Sequence, residues 1–438
     1  MFKTIRNAWG IPDLRKKILF TLFIIVIFRI GSVIPVPFLD VSALNAMMGN
    51  LSENGGMLAY LDTMSGGAFS NATLFAMSVT PYINSSIIIQ LLTVAIPALE
   101  RLSKEGEEGR KKLGKITRYV TVVLGLVQGG AYYWWLSASG IVTYRDGFYG
   151  VFAAVTIILT FTAGTALMMW LGEQINQKGI GNGISIILFA GIVARIPYMF
   201  TGLYNFFMLG VNGQTQYLIL APLYVIIFLA IVWLIVFMNE AERRIPIQYA
   251  KRVVGRKMYG GQSSHLPIKV GLSGVMPIIF ASSILSIPST IEFFIGSQNI
   301  TGFWRSFFDA FSMGGWIYIA LYFLLILGFA YFYVAIQYNP VEMANNLRQN
   351  NGTIPGIRPG KPTVDFIAKV LSKITLIGAL FLAVIALVPL LYSNLTGLNT
   401  SSLMMGGTSV IILVGVALET LKQLESQMMM RHYKGFLD

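Results

Sequence analysis

Side chains that commonly carry enzymatic chemistry are scarce in this 438-residue chain. It has no cysteine and only two histidines, His265 and His432, neither of which falls in an apolar segment. Thiolate catalysis, disulfide scaffolds and most zinc or haem sites are therefore excluded, and we expect no cofactor and no bound metal. An intramembrane hydrolase is disfavoured as well, because no paired aspartates occur at membrane depth.

Polar side chains interrupt two otherwise apolar segments, and these are the next candidates for function. The stretch Ser78–Ser86 contains a proline, a threonine, an asparagine and three serines, and Gln90 follows it. The stretch Pro277–Pro288 has a proline at each end and three serines between them. Polar groups at membrane depth need partners within the protein or in water. The pattern therefore indicates either kinked helices packed in a bundle or the lining of a pathway.

The elements that carry these residues are membrane spans. Hydrophobic residues make up 55% of the chain and charged residues 12%, against roughly 25% charged in soluble domains. The apolar residues come in blocks of about twenty, the length of a helix that crosses a bilayer. The sequence predicts ten spans, at Ile18–Ile34, Leu74–Ile96, Ile116–Ser137, Tyr149–Leu171, Ile184–Met199, Tyr217–Met238, Leu272–Ile295, Trp316–Ile336, Val370–Leu391 and Thr408–Leu421.

The basic residues orient the spans. All but four of the 32 Lys and Arg residues fall on the side of the chain termini, and the exceptions are Arg29, Arg145, Arg195 and Arg305. Because cytoplasmic loops are enriched in Lys and Arg, both termini are predicted to be cytoplasmic. The net charge of +13 lies on loops and not on a soluble module, which argues against a nucleic-acid-binding protein.

Ten spans divide into two halves of five, with a topological consequence. If the first half starts inside, the second starts outside, so the halves would be inverted repeats, as in many transport proteins. We assign residues 1–199 to the N-terminal half, 200–216 to an external hinge loop and 217–438 to the C-terminal half. The halves share no convincing sequence identity, so a coincidental count is an equal alternative. A secondary transporter also fits this topology, although no buried Asp or Glu stands out as a proton or sodium site.

Two further features lie on the outer side. A short amphipathic piece near residues 57–67, with a glycine pair at each end, is too short to span the bilayer. It fits a surface loop or a mobile element that folds back into a cavity, since paired glycines permit large backbone excursions. Arg29 is the main ionisable residue within a span, and a structural role through snorkelling or pairing with a neighbouring span is favoured for it.

The long cytoplasmic loops at residues 239–271 and 339–368 are basic. In the second loop, the prolines and glycines of Asn351–Pro362 exclude a helix and hold Arg358 on a stiff turn. Such loops commonly set topology beside anionic lipid. Their length also indicates docking surfaces for an acidic protein or ribosomal RNA.

Several multi-residue motifs occur in a fixed order along the whole chain. They are Phe28-Arg29-Ile30-Gly31-Ser32 with Ile34-Pro35-Val36-Pro37, Met64-Ser65-Gly66-Gly67-Ala68, Pro81-Tyr82-Ile83 with Ile87-Ile88-Ile89-Gln90-Leu91-Leu92, Met169-Trp170-Leu171-Gly172-Glu173-Gln174, and Pro355-Gly356-Ile357-Arg358-Pro359-Gly360. With these motifs the chain resembles the SecY family, the central subunit of the bacterial Sec protein-conducting channel. The resemblance implies an all-α membrane protein whose ten helices form two inverted halves, closing like a clamshell around an hourglass pore.

The resemblance implies a passive channel and not an enzyme. Such a channel passes unfolded secretory polypeptides across the bacterial plasma membrane and releases apolar segments sideways into lipid. The implied pore ring consists of Val79 and Ile83 in the second span, Ile184 and Leu188 in the fifth, Ile279 in the seventh and Ile412 in the tenth. A narrow aliphatic ring offers an ion no replacement for its hydration shell, so it resists leakage. It also lacks sequence-specific groups, so it accommodates any polypeptide.

The same resemblance assigns the other sites. The half-helix would be a plug formed by Met57, Leu58, Tyr60, Leu61 and Met64, with Asp62 keeping it compatible with water. A lateral gate for signal sequences would lie between the second and seventh spans, at Ser86, Gln90, Ser282 and Ser283. The docking residues for the SecA motor ATPase and for the ribosome, including its RNA, would be Arg243, Arg244, Lys251, Arg252, Arg256, Lys257 and Arg358. SecE and SecG are the implied partner subunits, and the motor or ribosome would supply the energy.

Overall fold

The architecture is that of a computed structural model, which describes residues 2–52, 62, 65–212, 215–249, 252–254, 257–259, 263–272, 274–295, 302–311, 315–396 and 407–434. Within these residues a helix occupies each of the ten predicted spans. Spans 1 to 5 are Pro12–Gly31, Thr80–Ala95, Glu107–Ala138, Gly147–Lys178 and Gly183–Val211. Spans 6 to 10 are Gln216–Glu240, Met276–Ile295, Trp316–Gln337, Lys361–Thr396 and Gly407–Lys434. Shorter helices are Phe2–Trp9, Val41–Ser52, Pro97–Lys104, Phe303–Ala310 and Pro340–Gln349.

Six of the described helices, spans 4, 5, 6, 8, 9 and 10, are long and apolar enough to cross a bilayer by length and composition alone. Span 2 together with the helix Pro97–Lys104 is a seventh candidate, and the two are bent by 102° where they meet. Span 1 does not qualify by itself, because Arg15, Lys16 and Lys17 lie in its first two turns. The chain thus has the helices of a multi-span membrane protein.

The start of span 2 differs from the prediction. The sequence predicts a helix from Leu74, but residues 74–79 form turns and the helix begins at Thr80. Ser78 has a φ of 51°, which lies outside the right-handed helical region. Pro81 stands in the first turn of the helix, where the missing N–H of a proline removes no hydrogen bond. These two residues explain why the apolar pattern extends beyond the helix.

Span 5 is longer than predicted. The sequence predicts that it ends at Met199 and that an external hinge loop follows at residues 200–216, but the helix continues to Val211. A helix of 29 residues extends about 44 Å, more than the ~30 Å hydrocarbon core. The predicted hinge loop is therefore wrong for most of its length, and only a short connection separates Val211 from Gln216.

The two halves repeat one packing scheme. In each half the second helix packs on the third, the third on the fourth, and the fourth on both the first and the fifth. Because each half has an odd number of spans, the two sets run in opposite senses through the bilayer. The prediction of two inverted five-helix halves is confirmed.

A close backbone approach occurs at the same place in both halves. The fifth helix of each half begins at a glycine, Gly183 or Gly407. A Cβ on Gly183 would lie 1.9 Å from the carbonyl oxygen of Gly172 in span 4, and one on Gly407 would lie 2.3 Å from that of Ile385 in span 9. Any side chain there would overlap backbone atoms, so only glycine fits. Equivalent positions thus share their packing although the halves share no evident sequence identity.

The two long basic loops fold together into a small three-stranded sheet, and the first of them also forms a separate two-stranded sheet. Strands β1 (Glu242–Tyr249), β2 (Arg252–Val254), β3 (Lys257–Tyr259) and β4 (Ser263–Lys269) follow span 6, and β5 (Gly352–Thr353) follows span 8. Strand β1 pairs antiparallel with both β4 and β5, and β2 pairs with β3. The all-α prediction holds for the membrane part, and the loops add this sheet, which the sequence reasoning did not include.

The sheet is anchored on spans 8 and 9. Along β1, buried Ile245 and Ile247 alternate with exposed residues, the pattern of a strand with one buried face. Ile245 shares an apolar cluster with Val334 of span 8 and Leu371 of span 9. We call this sheet, the two-stranded sheet of β2 and β3, and the turn at residues 354–360 the platform. It belongs to the C-terminal half.

Candidate functional site

Five of the six ring candidates meet at one apolar cluster of the described residues. Val79, Leu188 and Ile412 are buried members of the cluster, and half-buried Ile83 and Ile184 pack against it. A buried apolar side chain in a membrane protein faces neighbouring helices and not lipid. The cluster therefore brings apolar residues of both halves together in the interior. The sixth candidate, Ile279, is half-buried in span 7 and is not a member of this cluster.

The start of span 5 is fixed by local polar contacts. The side chain of Asn182 accepts a hydrogen bond from the backbone N–H of Ser185 at 3.4 Å and caps the helix. The N–H of Gly183 donates to the side-chain oxygen of Asn176 in span 4 at 2.7 Å. Next to it, Ile184 lies directly against Gly172, where a Cβ would come within 2.5 Å of its Cδ1. The contacts between the start of span 5 and span 4 thus set the position of the ring candidate Ile184.

The gate candidates lie on two helices that belong to different halves. Ser86 and Gln90 are half-buried on span 2, Ser282 is buried on span 7, and Ser283 is half-buried beside it. The hydroxyl of Ser282 donates within its own helix, to the carbonyl of Ile279 at 3.0 Å. The hydroxyl of Ser282 is thus satisfied within span 7.

Each gate helix packs on its own half. Span 2 packs extensively on span 3, and Ser85 donates to the backbone carbonyl of Thr117 there at 2.7 Å. Span 7 packs in the same way on span 8. Among the residues that the structure describes, spans 2 and 7 make no extensive contact with each other. The contact between the two halves is therefore weak where spans 2 and 7 lie.

The docking candidates lie on the platform where the structure describes them. Arg243 and Arg244 are exposed on β1, and Arg244 pairs with Glu242 at 2.6 Å. Arg358 is exposed on the turn before span 9, whose Thr363 hydroxyl donates to the Arg358 carbonyl at 2.9 Å. Arg252 stands on β2 and Lys257 on β3. The remaining two candidates, Lys251 and Arg256, lie outside the described residues.

The plug candidates Met57, Leu58, Tyr60, Leu61 and Met64 all lie outside the described residues. Asp62, which falls among them, is described, and its environment corrects the prediction. It is 6% exposed, and its carboxylate pairs with the guanidinium of Arg195. Because the counter-charge is protein and not water, Asp62 does not serve to keep the segment hydrated.

Arg195 is the residue that sequence reasoning missed. It lies in the interior of span 5 and is 9% exposed. From the sequence it was only one of the four basic residues predicted on the outer side. Its position inside an apolar span was the available signal, since a charge at membrane depth marks a functional hypothesis by default. Arg29, singled out instead, is half-buried, and its Nη1 donates to the carbonyl of Gly66 at 3.4 Å.

Comparison with known proteins identifies the family. The SecY family model matches residues 73–421. The protein translocase subunit SecY of Bacillus subtilis (strain 168) is 45% identical over 441 residues, which cover 100% of both chains. The solved structure of a protein conducting channel matches with a TM-score of 0.64 and 18% identity, covering 94% of this chain and 92% of that one. Sec61 in the canine ribosome-channel complex matches with a TM-score of 0.61 and 16% identity, with the same coverage. At these identities the solved structures show a shared fold, and the sequence matches carry the conclusion that the chain belongs to the SecY family.

Proposed function

We propose that this protein is the channel subunit of a protein translocase. It passes unfolded secretory polypeptides across the bacterial plasma membrane and releases apolar segments sideways into lipid. The observation that carries the proposal is the distribution of contacts between the halves. Span 5 packs on spans 6 and 10, whereas spans 2 and 7 pack on helices of their own halves. Such a molecule opens on one side while it remains joined on the other.

The apolar interior between the halves supports a passage that is closed to ions but admits an unfolded polypeptide. Val79, Leu188 and Ile412 come from three different parts of the chain and are buried members of one apolar cluster. An aperture lined by such side chains dewets when narrow and blocks ions. When the halves separate, the same side chains contact a passing polypeptide without recognising its sequence.

The gate supports sideways release. Ser86 and Gln90 of span 2 and Ser283 of span 7 are only half-buried, so neither helix face is committed to tight apolar packing. An apolar signal sequence that enters between these helices gains about 0.8 kcal/mol for each CH₂ transferred from water. That gain supplies the driving force for opening toward lipid.

The platform supports force transfer from a partner. Exposed Arg243 and Arg358 offer a basic surface, suited to acidic protein or to RNA phosphates. The platform is anchored on spans 8 and 9, and span 8 packs on gate helix span 7. A load applied by the SecA motor or by the ribosome would therefore move the C-terminal half and reach the gate.

The proposal also includes the orientation of the chain in the membrane, the source of energy for transport and the partner subunits. The basic loops place both termini in the cytoplasm. The chain acts as a passive conduit, and the motor or the ribosome supplies the energy. Membership in the SecY family supports SecE and SecG as the partner subunits.

Photo-cross-linking of a stalled secretory chain tests this function. A photoreactive amino acid at Ile83 or Ile184 should capture the chain. The same probe at Ile226, a lipid-exposed isoleucine of span 6 with 63% exposure, should not capture it. Absence of capture at both interior positions, or equal capture at Ile226, would refute the channel. Reconstituted vesicles that accumulate a small solute under a proton or sodium gradient, without any motor, would favour the secondary transporter.

A further inference from the structure

Asp62 and residues 65–73, which we call the outer turn, form one hydrogen-bonded unit. The N–H of Gly67 donates to the Asp62 carbonyl at 2.9 Å, and the N–H of Ser70 donates to Asp62 Oδ1 at 2.8 Å. The hydroxyl of Ser65 also donates to the Asp62 carbonyl, at 3.0 Å. The Asp62 carboxylate is therefore held in one orientation, with its Oδ2 free to meet a neighbouring span.

That neighbouring span supplies Arg195, whose Nη2 pairs with Asp62 Oδ2. The outer turn also touches span 5 by backbone approach. A Cβ on Gly66 would lie 3.0 Å from the Cα of Gly191, and one on Gly67 would lie 3.2 Å from the Cζ of Arg195. The ion pair is thus the charged part of a close contact between the outer turn and span 5.

The contact combines charge with apolar packing, since Ala68 and Phe69 of the outer turn are buried as well. Two guanidinium groups contact the outer turn. Arg195 pairs with the Asp62 carboxylate, and Arg29 donates to the carbonyl of Gly66. The Nε of Arg195 is buried and has no acceptor among the described residues. Loss of the Asp62 charge would leave a buried cation without a counter-charge, which proteins tolerate poorly. Water that enters the site would instead solvate both charges and weaken the pair.

The outer turn leads directly to the ring candidates of span 2. Residues 74–79 connect the two, and they fit tightly between neighbouring helices. A Cβ on Gly164 of span 4 would lie 1.9 Å from the Leu74 carbonyl oxygen, and one on Gly31 of span 1 would lie 2.0 Å from a ring carbon of Phe75. The outer turn is therefore joined to Val79 by a short segment that is itself closely packed against spans 1 and 4.

We propose that Asp62 and Arg195 are positioning residues for channel closure: their buried ion pair holds the outer turn on span 5 and thereby keeps Val79 buried in the apolar cluster that also contains Leu188. The pair persists while the interior is dry. The ion pair is released when the ring opens and admits water. Opening of the ring and release of the outer turn are therefore coupled through the entry of water. This inference rests on the proposed channel function.

Ion leak of purified, reconstituted protein tests the positioning role. Asp62→Asn should raise the leak at least tenfold. The charge exchange Asp62→Arg with Arg195→Asp should return it to within about threefold of wild type. Asp309→Asn is the matched control, because it removes a carboxylate from an exposed outer pair, Arg305–Asp309, and should leave the leak unchanged. A wild-type leak in folded Asp62→Asn, or a charge exchange that folds but does not lower the leak, would overturn the proposal.

A second variant covers the case in which Asp62→Asn fails to fold. The double change Asp62→Asn with Arg195→Gln removes both charges and leaves none unpaired, so it should fold. Its leak should still rise tenfold, because the pair is gone, and a wild-type leak in this variant would also overturn the proposal. Failure of the channel function itself shows separately, as absent cross-linking of a stalled chain at Ile83 in the wild-type protein.

Discussion

Replacing Gly183 by alanine tests whether the contact of spans 4 and 5 sets the position of the ring candidate Ile184. The added Cβ would lie 1.9 Å from the carbonyl oxygen of Gly172, whereas ordinary van der Waals contact begins at 3.4 Å. The backbone fixes the position of the Cβ, and the oxygen is itself a backbone atom, so neither atom can rotate away. The start of span 5 must therefore move away from span 4 by about 1.5 Å.

The expected change in stability of Gly183→Ala is the sum of two opposing effects. Overpacking of this kind typically costs about 1–3 kcal/mol. The higher helix propensity of alanine offsets at most about 1 kcal/mol, and less at the first helical residue, where the backbone is only partly constrained. We expect a net loss of about 1–2 kcal/mol of stability, together with a raised ion leak because Ile184 moves with the backbone.

Thermal unfolding in detergent and ion leak in vesicles measure the two effects. The repeat-related change Gly407→Ala should also lower the unfolding temperature, because its Cβ would lie 2.3 Å from a backbone oxygen. Gly114→Ala in span 3 and Gly328→Ala in span 8 are the controls, since a Cβ there meets nothing within 4 Å. The controls should keep or raise the unfolding temperature. If Gly183→Ala behaves like the controls, the contact is not rigid and the reasoning fails.

Three further predictions address the ring, the platform and the gate. Serine in place of both Ile83 and Ile279 should raise the resting ion conductance by about tenfold, because hydroxyls favour wetting of the aperture; unchanged conductance would remove them from the ring. Arg358→Glu should lower motor-driven translocation by about tenfold through repulsion of an acidic partner, while membrane insertion of the protein stays normal; wild-type transport would remove the docking role. Cysteines at Ser86 and Ser283, once cross-linked, should block signal-sequence insertion, and reduction should restore it; normal secretion after cross-linking would place the gate elsewhere.

The ten spans could be predicted from sequence because the signal for each is local. A block of about twenty apolar residues is sufficient to identify a membrane helix, and the basic loops orient it. Helix ends were less predictable. Span 2 begins late because of the backbone at Ser78 and Pro81, and span 5 continues past Met199 because apolar content does not mark where a helix ends outside the bilayer.

Contacts between distant parts of the chain were beyond the reach of the sequence pattern. Ile245 and Ile354 lie in different loops, and the sequence does not show that they share one cluster beneath one sheet. Gly183 is the first residue of the span 5 helix, and its close approach to Gly172 appears only once span 4 is in place. These contacts depend on tertiary geometry, which composition and periodicity do not encode.

Asp62 and Arg195 illustrate the same limit for charge, with a consequence for mechanism. An isolated aspartate in an outer segment suggests contact with water, but Asp62 is buried because an arginine on another span neutralises it. The groups that hold the outer turn are therefore charged and buried, while the ring candidates that meet in the interior are apolar. Water weakens a buried ion pair by solvating its charges, and it is expelled from a narrow apolar ring. On the closure mechanism proposed above, a dry interior stabilises both contacts, and water that passes the ring weakens the ion pair, so we expect a sharp transition between the closed and open states.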